Sequence, residues 1–431
     1  MKQILGRWDS IAIILGIVIG VGIFRVPAEV ASNLDSPYLF LLAWLLGGVL
    51  SLIGALCYAE LASSFPLSGG SYVYLKESYG LWSGFLFGWT ELLAIRTGSI
   101  AAVSFIFGEY ICSFLAVDAS YVKAFAIGAV IILSILNSLG LRYGKGIQDV
   151  LMTAKITAIA GIIVLGFISG RGSLANFDLF TSGSAKGVMG AFGLAMIPVL
   201  WTYGGWHENT FVAEETRDAK RTIPFALVWG IGIITFIYMA INILYIYLMP
   251  MYQIKTASLI GSDMLHILTG YYGQKIFEAL ILVCSIGSMN AMIITGSRIT
   301  YAMAKDNVVF RFIGRINEKC ETPVLAMSIN AVIAVALIMY GTFGRLLYFT
   351  GVLVWFFFAL VAISLFILRR RFPVMERPYK VWGYPVTPAL FFLISVALFV
   401  NTFMYNPANS MMGLGILLLG APVYLITRRR A

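Results

Sequence analysis

Apolar residues fall along this chain in long, nearly unbroken runs. Runs of spanning length lie at about 11–31, 38–64, 82–114, 122–140, 147–169, 187–213, 223–249, 274–304, 323–340, 343–368, 384–404 and 411–427. Each has at least about the 17–25 residues that carry a helix across a ~30 Å hydrocarbon layer. A helix satisfies the hydrogen bonds of its own backbone at that depth. The runs predict an all-α integral membrane protein of about twelve transmembrane helices, here called spans 1 to 12 in chain order. The longest connections, 65–81, 305–322 and 369–383, are too short for a soluble domain. The first of them opens Phe65-Pro66-Leu67-Ser68-Gly69-Gly70-Ser71-Tyr72, turn chemistry that predicts a loop or a short surface helix.

Composition agrees. Of 431 residues, 60% are hydrophobic and 12% charged, where a soluble domain carries about 25% charged residues. The formal charge of +10 does not indicate a nucleic-acid partner, because the basic residues are scattered between apolar runs. They act as topology signals instead. With the N-terminus in the cytoplasm, 20 of the 30 Lys and Arg residues fall in inner segments and six outside, so both termini are expected inside a plasma (inner) membrane. The remaining four, Arg25, Arg96, Lys155 and Arg298, lie within or at the ends of spans. The apolar stretch after Lys2 and Arg7 runs past the length of a leader and reads as span 1. Cys57, Cys112, Cys284 and Cys320 lack metal-ligand spacing and read as free thiols. With only His207 and His266 beside them, neither a metal site nor a cofactor is expected.

Two spans are interrupted by glycine. Span 1 contains Gly16-Ile17-Val18-Ile19-Gly20-Val21-Gly22-Ile23-Phe24, and span 6 contains Trp201-Thr202-Tyr203-Gly204-Gly205-Trp206 after Pro198. Glycine costs a helix about 1 kcal/mol relative to alanine and lets the backbone unwind toward a ligand. Peptide groups freed at membrane depth must line a cavity. Spans 1 and 6 hold the same place in two successive blocks of five, which is the pattern of inverted-repeat transporters. Freed amides suit an anionic group and freed carbonyls a cationic one, so together they suit a zwitterion. Gly16 and Gly20 also form a small-xxx-small helix-packing pair, which is the plainer reading of span 1 taken alone.

In this order the motifs resemble the amino acid–polyamine–organocation superfamily, and within it the L-type amino acid transporters and their bacterial relatives. The resemblance covers residues 10–371. It is carried by Gly20-Val21-Gly22-Ile23-Phe24 with Pro27; by Phe65-Pro66, Ser68-Gly69-Gly70 and Tyr72-Val73-Tyr74-Leu75; by Glu91-Leu92-Leu93 and Ile95-Arg96; and by Gln148-Asp149-Val150 and Ala154-Lys155. Further along come Tyr203-Gly204-Gly205-Trp206 with Glu214-Glu215 and Pro224, then Gly287, Asn290 and Ser297-Arg298, then Trp355 before Arg369-Arg370-Arg371. The chain departs from the family at Val21, where relatives have serine; at Thr97, where the L-type group has proline; and at Val352, where some larger relatives have an aromatic residue.

The resemblance implies two inverted five-helix repeats at 1–170 and 186–371, with 372–431 holding spans 11 and 12 and a cytoplasmic C-terminus. It implies that the amides around Val21, Gly22 and Ile23 take a substrate carboxylate. The carbonyls of Val18, Ile19, Trp201 and Gly204 would take its α-amino group. Tyr203 falls in the same segment, Trp201 is the gate, and Asn290, Val352 and Trp355 are pocket candidates from spans 8 and 10. A packing role for the Trp201 ring is the alternative. Lys155 would set its ammonium where sodium-coupled relatives bind sodium, tying span 5 to spans 1 and 8. The alternatives are that it carries a proton or snorkels to the interface. No disulfide-linked heavy subunit is expected, since the loop near 113–121 has no cysteine of its own.

Arg96 lies mid-span with Glu91 five residues away, off helical register, so its partner is expected in backbone or on another helix. Glu60, Glu214 and Glu215 read equally as solvated charge or as ion pairs at an inner gate. The expected activity is sodium-independent exchange of neutral L-amino acids by alternating access. Proton-coupled uptake and cationic amino acid or polyamine transport are the rivals on the same fold; a membrane nutrient sensor lies outside it. The interrupted segments contain no carboxylate suited to a second ammonium, which speaks against a cationic substrate. Enzymatic chemistry finds no nucleophile or histidine cluster to support it.

Overall fold

The computed structural model describes residues 3, 5–138, 144–177, 188–306 and 324–428, with backbone alone at some helical positions, among them 144–152, 154, 297 and 298. The side chains of Gln148, Asp149, Val150, Ala154, Ser297 and Arg298, together with Cys320, therefore lie outside the described residues.

Span 1 is two helices, α1 (Arg7–Val18) and α2 (Val26–Asn33), joined through a 3₁₀ turn at Gly22–Phe24. Span 2 is α3 (Pro37–Ser64). The next helix, α4 (Ser71–Tyr79), is not the surface helix the turn residues suggested. It is largely buried: Ser71 meets the Tyr58 hydroxyl of α3 at 2.8 Å, and Tyr72 donates to Asp306 at 2.8 Å. Span 3 is α5 (Leu81–Thr90) and α6 (Arg96–Leu115), joined by one π-helical turn at Glu91–Ile95. Spans 4 and 5 are α7 (Val122–Ser138) and α8 (Gly144–Ile168).

Span 6 is α9 (Val188–Thr202), which opens into a turn and a 3₁₀ segment, Trp206–Glu215. Span 7 is α10 (Ala219–Leu248), followed by the short α11 (Met251–Thr256). Span 8 lies in α12 (Ile260–Lys305), kinked at Gly270. Spans 9 to 12 are α13 (Val324–Tyr340), α14 (Phe343–Arg371), α15 (Val386–Tyr405) and α16 (Pro407–Arg428). Among the described residues, nine helices are long and apolar enough to cross a membrane, and α8, α9 and α13 supply the shorter apolar spans.

The helices sort into two packed groups. Spans 1, 2, 6 and 7 pack on one another through α3 against α10, α1 against α10, and α2 and α3 against α9. Spans 3, 4, 8 and 9 pack through α6 against α7, α12 and α13. Lipid removes most of the hydrophobic drive between helices, so close backbone approach does the joining. In α3 a Cβ at Gly47 would lie 2.4 Å from Val199 and one at Gly48 2.4 Å from Thr235, so α9 and α10 close onto bare backbone.

The end of the bundle bearing Arg369–Arg371 is held by polar contacts. Glu60 is 2% exposed, not solvated. It takes Arg369 at 2.7 Å through both carboxylate oxygens and the Val381 amide at 2.7 Å. Lys76 pairs with Asp306 at 2.9 Å. Glu214 accepts from the Ser68 amide at 3.3 Å, and Lys220 pairs with Glu376. The N-terminal segment runs beside the exit from span 6: the Leu5 amide donates to Glu215 O at 3.0 Å and the Arg217 amide to Leu5 O at 2.8 Å. At the opposite end Arg25 pairs with Glu109 at 3.2 Å and Lys255 with Asp35.

Candidate functional site

The two breaks face each other. In span 1 the α-helical hydrogen bonding stops at Ile19, whose ψ of 70° turns the chain out of the helix. Val21, Gly22 and Ile23 follow, and no described residue accepts from their three amides. In span 6 the Gly204 amide folds back to Trp201 O at 2.9 Å, and Gly205 takes a φ of +99° that L side chains rarely adopt. A Cβ at Gly205 would also lie 2.6 Å from Ile17, and one at Gly22 would lie 3.2 Å from both Trp201 and Thr202. Glycine is what lets the two unwound backbones come this close.

Carbonyls freed by unwinding cannot stay without donors in a dry interior. Side chains from distant spans supply them. Lys155 of α8, 5% exposed, donates to Ile19 O at 2.7 Å and Gly16 O at 3.2 Å. Tyr238 of α10 donates to Val18 O at 2.7 Å, with Thr202 O at 3.2 Å sharing the hydroxyl. Tyr245 reaches Ile23 O at 3.2 Å and Tyr110 reaches Phe24 O at 3.0 Å. Lys155 thus neither snorkels nor dangles: its ammonium is seated on the first break.

A cavity of about 120 Å³ opens between the breaks and spans 3, 8 and 10. Val18, Val21, Gly22, Trp201, Gly204 and Trp355 line it. The Trp201 ring stands edge-on to Phe343 of α14, with centroids 5.5 Å apart. The structure does not bring the other expected residues to the cavity wall. The Tyr203 ring is buried against Trp44 and Tyr238, and its hydroxyl donates to Trp44 O at 3.0 Å. Asn290 accepts from Asn137 at 2.6 Å, joining spans 4 and 8. Val352 is fully buried and faces α16, where a Cβ at Gly413 would meet it at 3.3 Å. Ile19 and Ile23 are fully buried away from the lining, and their carbonyls are taken by Lys155 and Tyr245.

Two acids reach the cavity that no sequence motif placed there. Glu91 and Glu208 line the cavity together with Arg96, which corrects the expectation that no carboxylate is near. Arg96 donates to Glu91 at 2.8 Å and to Glu208 at 2.7 Å. Five-residue spacing is off register in an α-helix, but a π-helical turn pairs i with i+5, and the turn at Glu91–Ile95 lies between these two residues. Glu208 comes from the 3₁₀ segment just past the Gly204–Gly205 turn, where it also accepts from Thr295 at 2.9 Å. The available signal was an acid four residues after a glycine break.

The chain matches the family profile described as amino acid permease over residues 5–426. It belongs to the amino acid permease family. This permease is 32% identical over 418 residues to the human (Homo sapiens) b(0,+)-type amino acid transporter 1, covering 94% of this chain and 84% of that one. It is 28% identical over 433 residues to the serine/threonine exchanger SteT of Bacillus subtilis (strain 168), covering 100% and 98%. It is 30% identical over 422 residues to the human cystine/glutamate transporter, covering 97% and 83%. The permease is thus a multi-pass membrane transporter of the amino acid–polyamine–organocation superfamily, not an enzyme.

Proposed function

We propose that this permease exchanges L-amino acids across the plasma membrane by alternating access, without sodium. One observation carries the reading: three amides without acceptors, at Val21, Gly22 and Ile23, lie in a break whose neighbouring carbonyls hold a lysine ammonium. The amides suit the substrate carboxylate. Gly204 O, for which no donor is described, suits the α-amino group. The Trp201 carbonyl, which takes the Gly204 amide, retains a second lone pair for it, whereas Val18 O already accepts from both Tyr238 and the Gly20 amide. Trp201 closes over the bound substrate, and Trp355 with the apolar wall accepts a neutral side chain. Lys155 stands in for a sodium ion as a tethered cation.

The name of the bacterial exchanger supports exchange, and those of the mammalian relatives support amino acid transport. Spans 1, 2, 6 and 7 move as one body against spans 3, 4, 8 and 9, the two repeats being 1–170 and 186–371, with both termini cytoplasmic. The reading includes no disulfide-linked heavy subunit, since Cys112, next to the 113–121 loop, is buried. Proteoliposomes test it. Labelled amino acid should enter vesicles loaded with unlabelled amino acid, with sodium absent, and should not enter empty ones. Accumulation in empty vesicles under a pH gradient would replace exchange by proton symport.

A further inference from the structure

A cationic and aromatic patch lies where α1 and α10 begin, at the end of the bundle that bears Arg369–Arg371. Arg221, Phe225 and Trp229 follow one another at intervals of four along α10, so they share one face of that helix. Arg7 and Trp8 open α1 and meet this face. The Trp8 ring stands edge-on to Phe225 with centroids 6.5 Å apart, and the Arg7 guanidinium lies over the same ring at 5.6 Å. Trp229 packs on the other side of Phe225 at 6.1 Å. Little covers the patch: Trp8 is 76% exposed and Trp229 58%, and both arginines are exposed. Among the described residues neither guanidinium has a hydrogen-bond or ion-pair partner. The acids near them in sequence do not supply one. Asp9 takes the Gly6 amide at 2.8 Å, and Asp218 offers Arg221 only a backbone carbonyl, to its amide, at 3.0 Å.

The order of groups along α10 identifies the guest. From Arg221 to Trp229 the face passes from cation to aromatic over eight residues, about 12 Å. That is the order met on passing from phospholipid headgroups into the upper acyl chains, where tryptophan gathers. A soluble partner would reach the first turn alone, and a free phosphate ion would have no use for two bare indole rings. Guanidinium groups bind phosphate through paired N–H donors. Arg7, lying on the Phe225 ring, is held in place with its N–H edge free. We propose that the ends of α1 and α10 form a binding site for an anionic phospholipid of the inner leaflet. Its phosphate is held by Arg7 and Arg221, and its glycerol and first acyl carbons lie against Trp8, Phe225 and Trp229. The lipid ties α1 to α10 and travels with the moving body. The choice of leaflet rests on the orientation given above; the chemistry of the site does not.

Purified protein in detergent is titrated with phosphatidylglycerol or phosphatidylcholine, and the unfolding midpoint is read. Phosphatidylglycerol should raise it at concentrations where phosphatidylcholine does not. In Arg7→Ala/Arg221→Ala the half-effect concentration should rise at least about tenfold. Arg370→Ala/Lys380→Ala removes the same charge elsewhere at this end and should stay within about twofold of wild type. Equal effects of the two lipids overturn the proposal. Equal losses in the two double variants also overturn it, by assigning the preference to net charge. So does glycerol phosphate acting as well as the whole lipid, which would make the ligand a soluble anion. If the double variant does not fold, Arg7→Ala and Arg221→Ala are read singly, each expected to cost about threefold or more. Micelles have no sides, so the leaflet is tested apart: Gln3→Cys should resist an impermeant thiol reagent in intact cells. Labelling there overturns the orientation and the leaflet together, whereas a missing lipid preference with that position protected overturns the site alone.

Discussion

The two broken spans carry the same glycine signal and resolve it differently. Span 1 is propped from outside by residues of spans 5, 7 and 3: Lys155 donates to two of its carbonyls, and Tyr238, Tyr245 and Tyr110 to one each. Its amides stay open. Span 6 closes largely on itself, through Gly204 N to Trp201 O and Glu208 N to Gly205 O, and borrows only a share of the Tyr238 hydroxyl. The first break is therefore a pre-formed anion cradle supported by its neighbours. The second is a tight turn whose geometry is set by its own sequence. Substitutions distant in sequence should damage the first break, and local ones the second.

Four substitutions probe that contrast, in order of expected effect. Lys155→Ala removes the charged donor to two carbonyls of span 1, and losing a charged buried hydrogen bond costs about 3 kcal/mol. Exchange should fall at least about a hundredfold while the protein still reaches the membrane, measured as initial rate per reconstituted protein. A wild-type rate would remove the lysine from the mechanism. Gly205→Ala imposes a side chain on a positive φ and on Ile17, at a combined cost of about 2–4 kcal/mol. A lowered unfolding midpoint should report it, and an unchanged midpoint would mean that the second break tolerates a different turn.

Tyr238→Phe serves both breaks at once. It leaves Thr202 O without a described donor and Val18 O with the Gly20 amide alone, a loss of about 1–3 kcal/mol, seen as a lower midpoint and slower exchange together. Tyr245→Phe removes only the 3.2 Å contact to Ile23 O, so about 0.5–1.5 kcal/mol of stability should go. Should Tyr245→Phe prove more damaging than Gly205→Ala in the same unfolding assay, the contrast between an externally propped and a self-closed break would be reversed.

The spans and the breaks were legible because both are local signals: hydrophobic length, and glycine where a helix should continue. Lys155 stood out because a charge at that depth needs a reason. The pocket wall was less legible. Arg96 and Glu91 looked unpaired because five residues is the wrong interval for an α-helix, and nothing in Glu91-Leu92-Leu93-Ala94-Ile95 announces a π-turn. Tyr238 looked like any aromatic residue in an apolar run, since its role depends on how α10 packs against α1. Tyr203 and Val352 sat in the right segments but on the wrong faces. Unwinding changes which way successive side chains point, so position in a motif no longer fixes direction.

The short ladder between Leu5 and the residues around Thr216 has a practical corollary. Leu5 and Gln3 are stitched to the backbone leaving span 6, so any swing of that segment tows them along. A fluorophore attached at Gln3 would therefore work as a pointer on the transport cycle, brightening or dimming as the site changes sides. Trimming the chain through Leu5 would cut the leash and leave the cycle without that coupling.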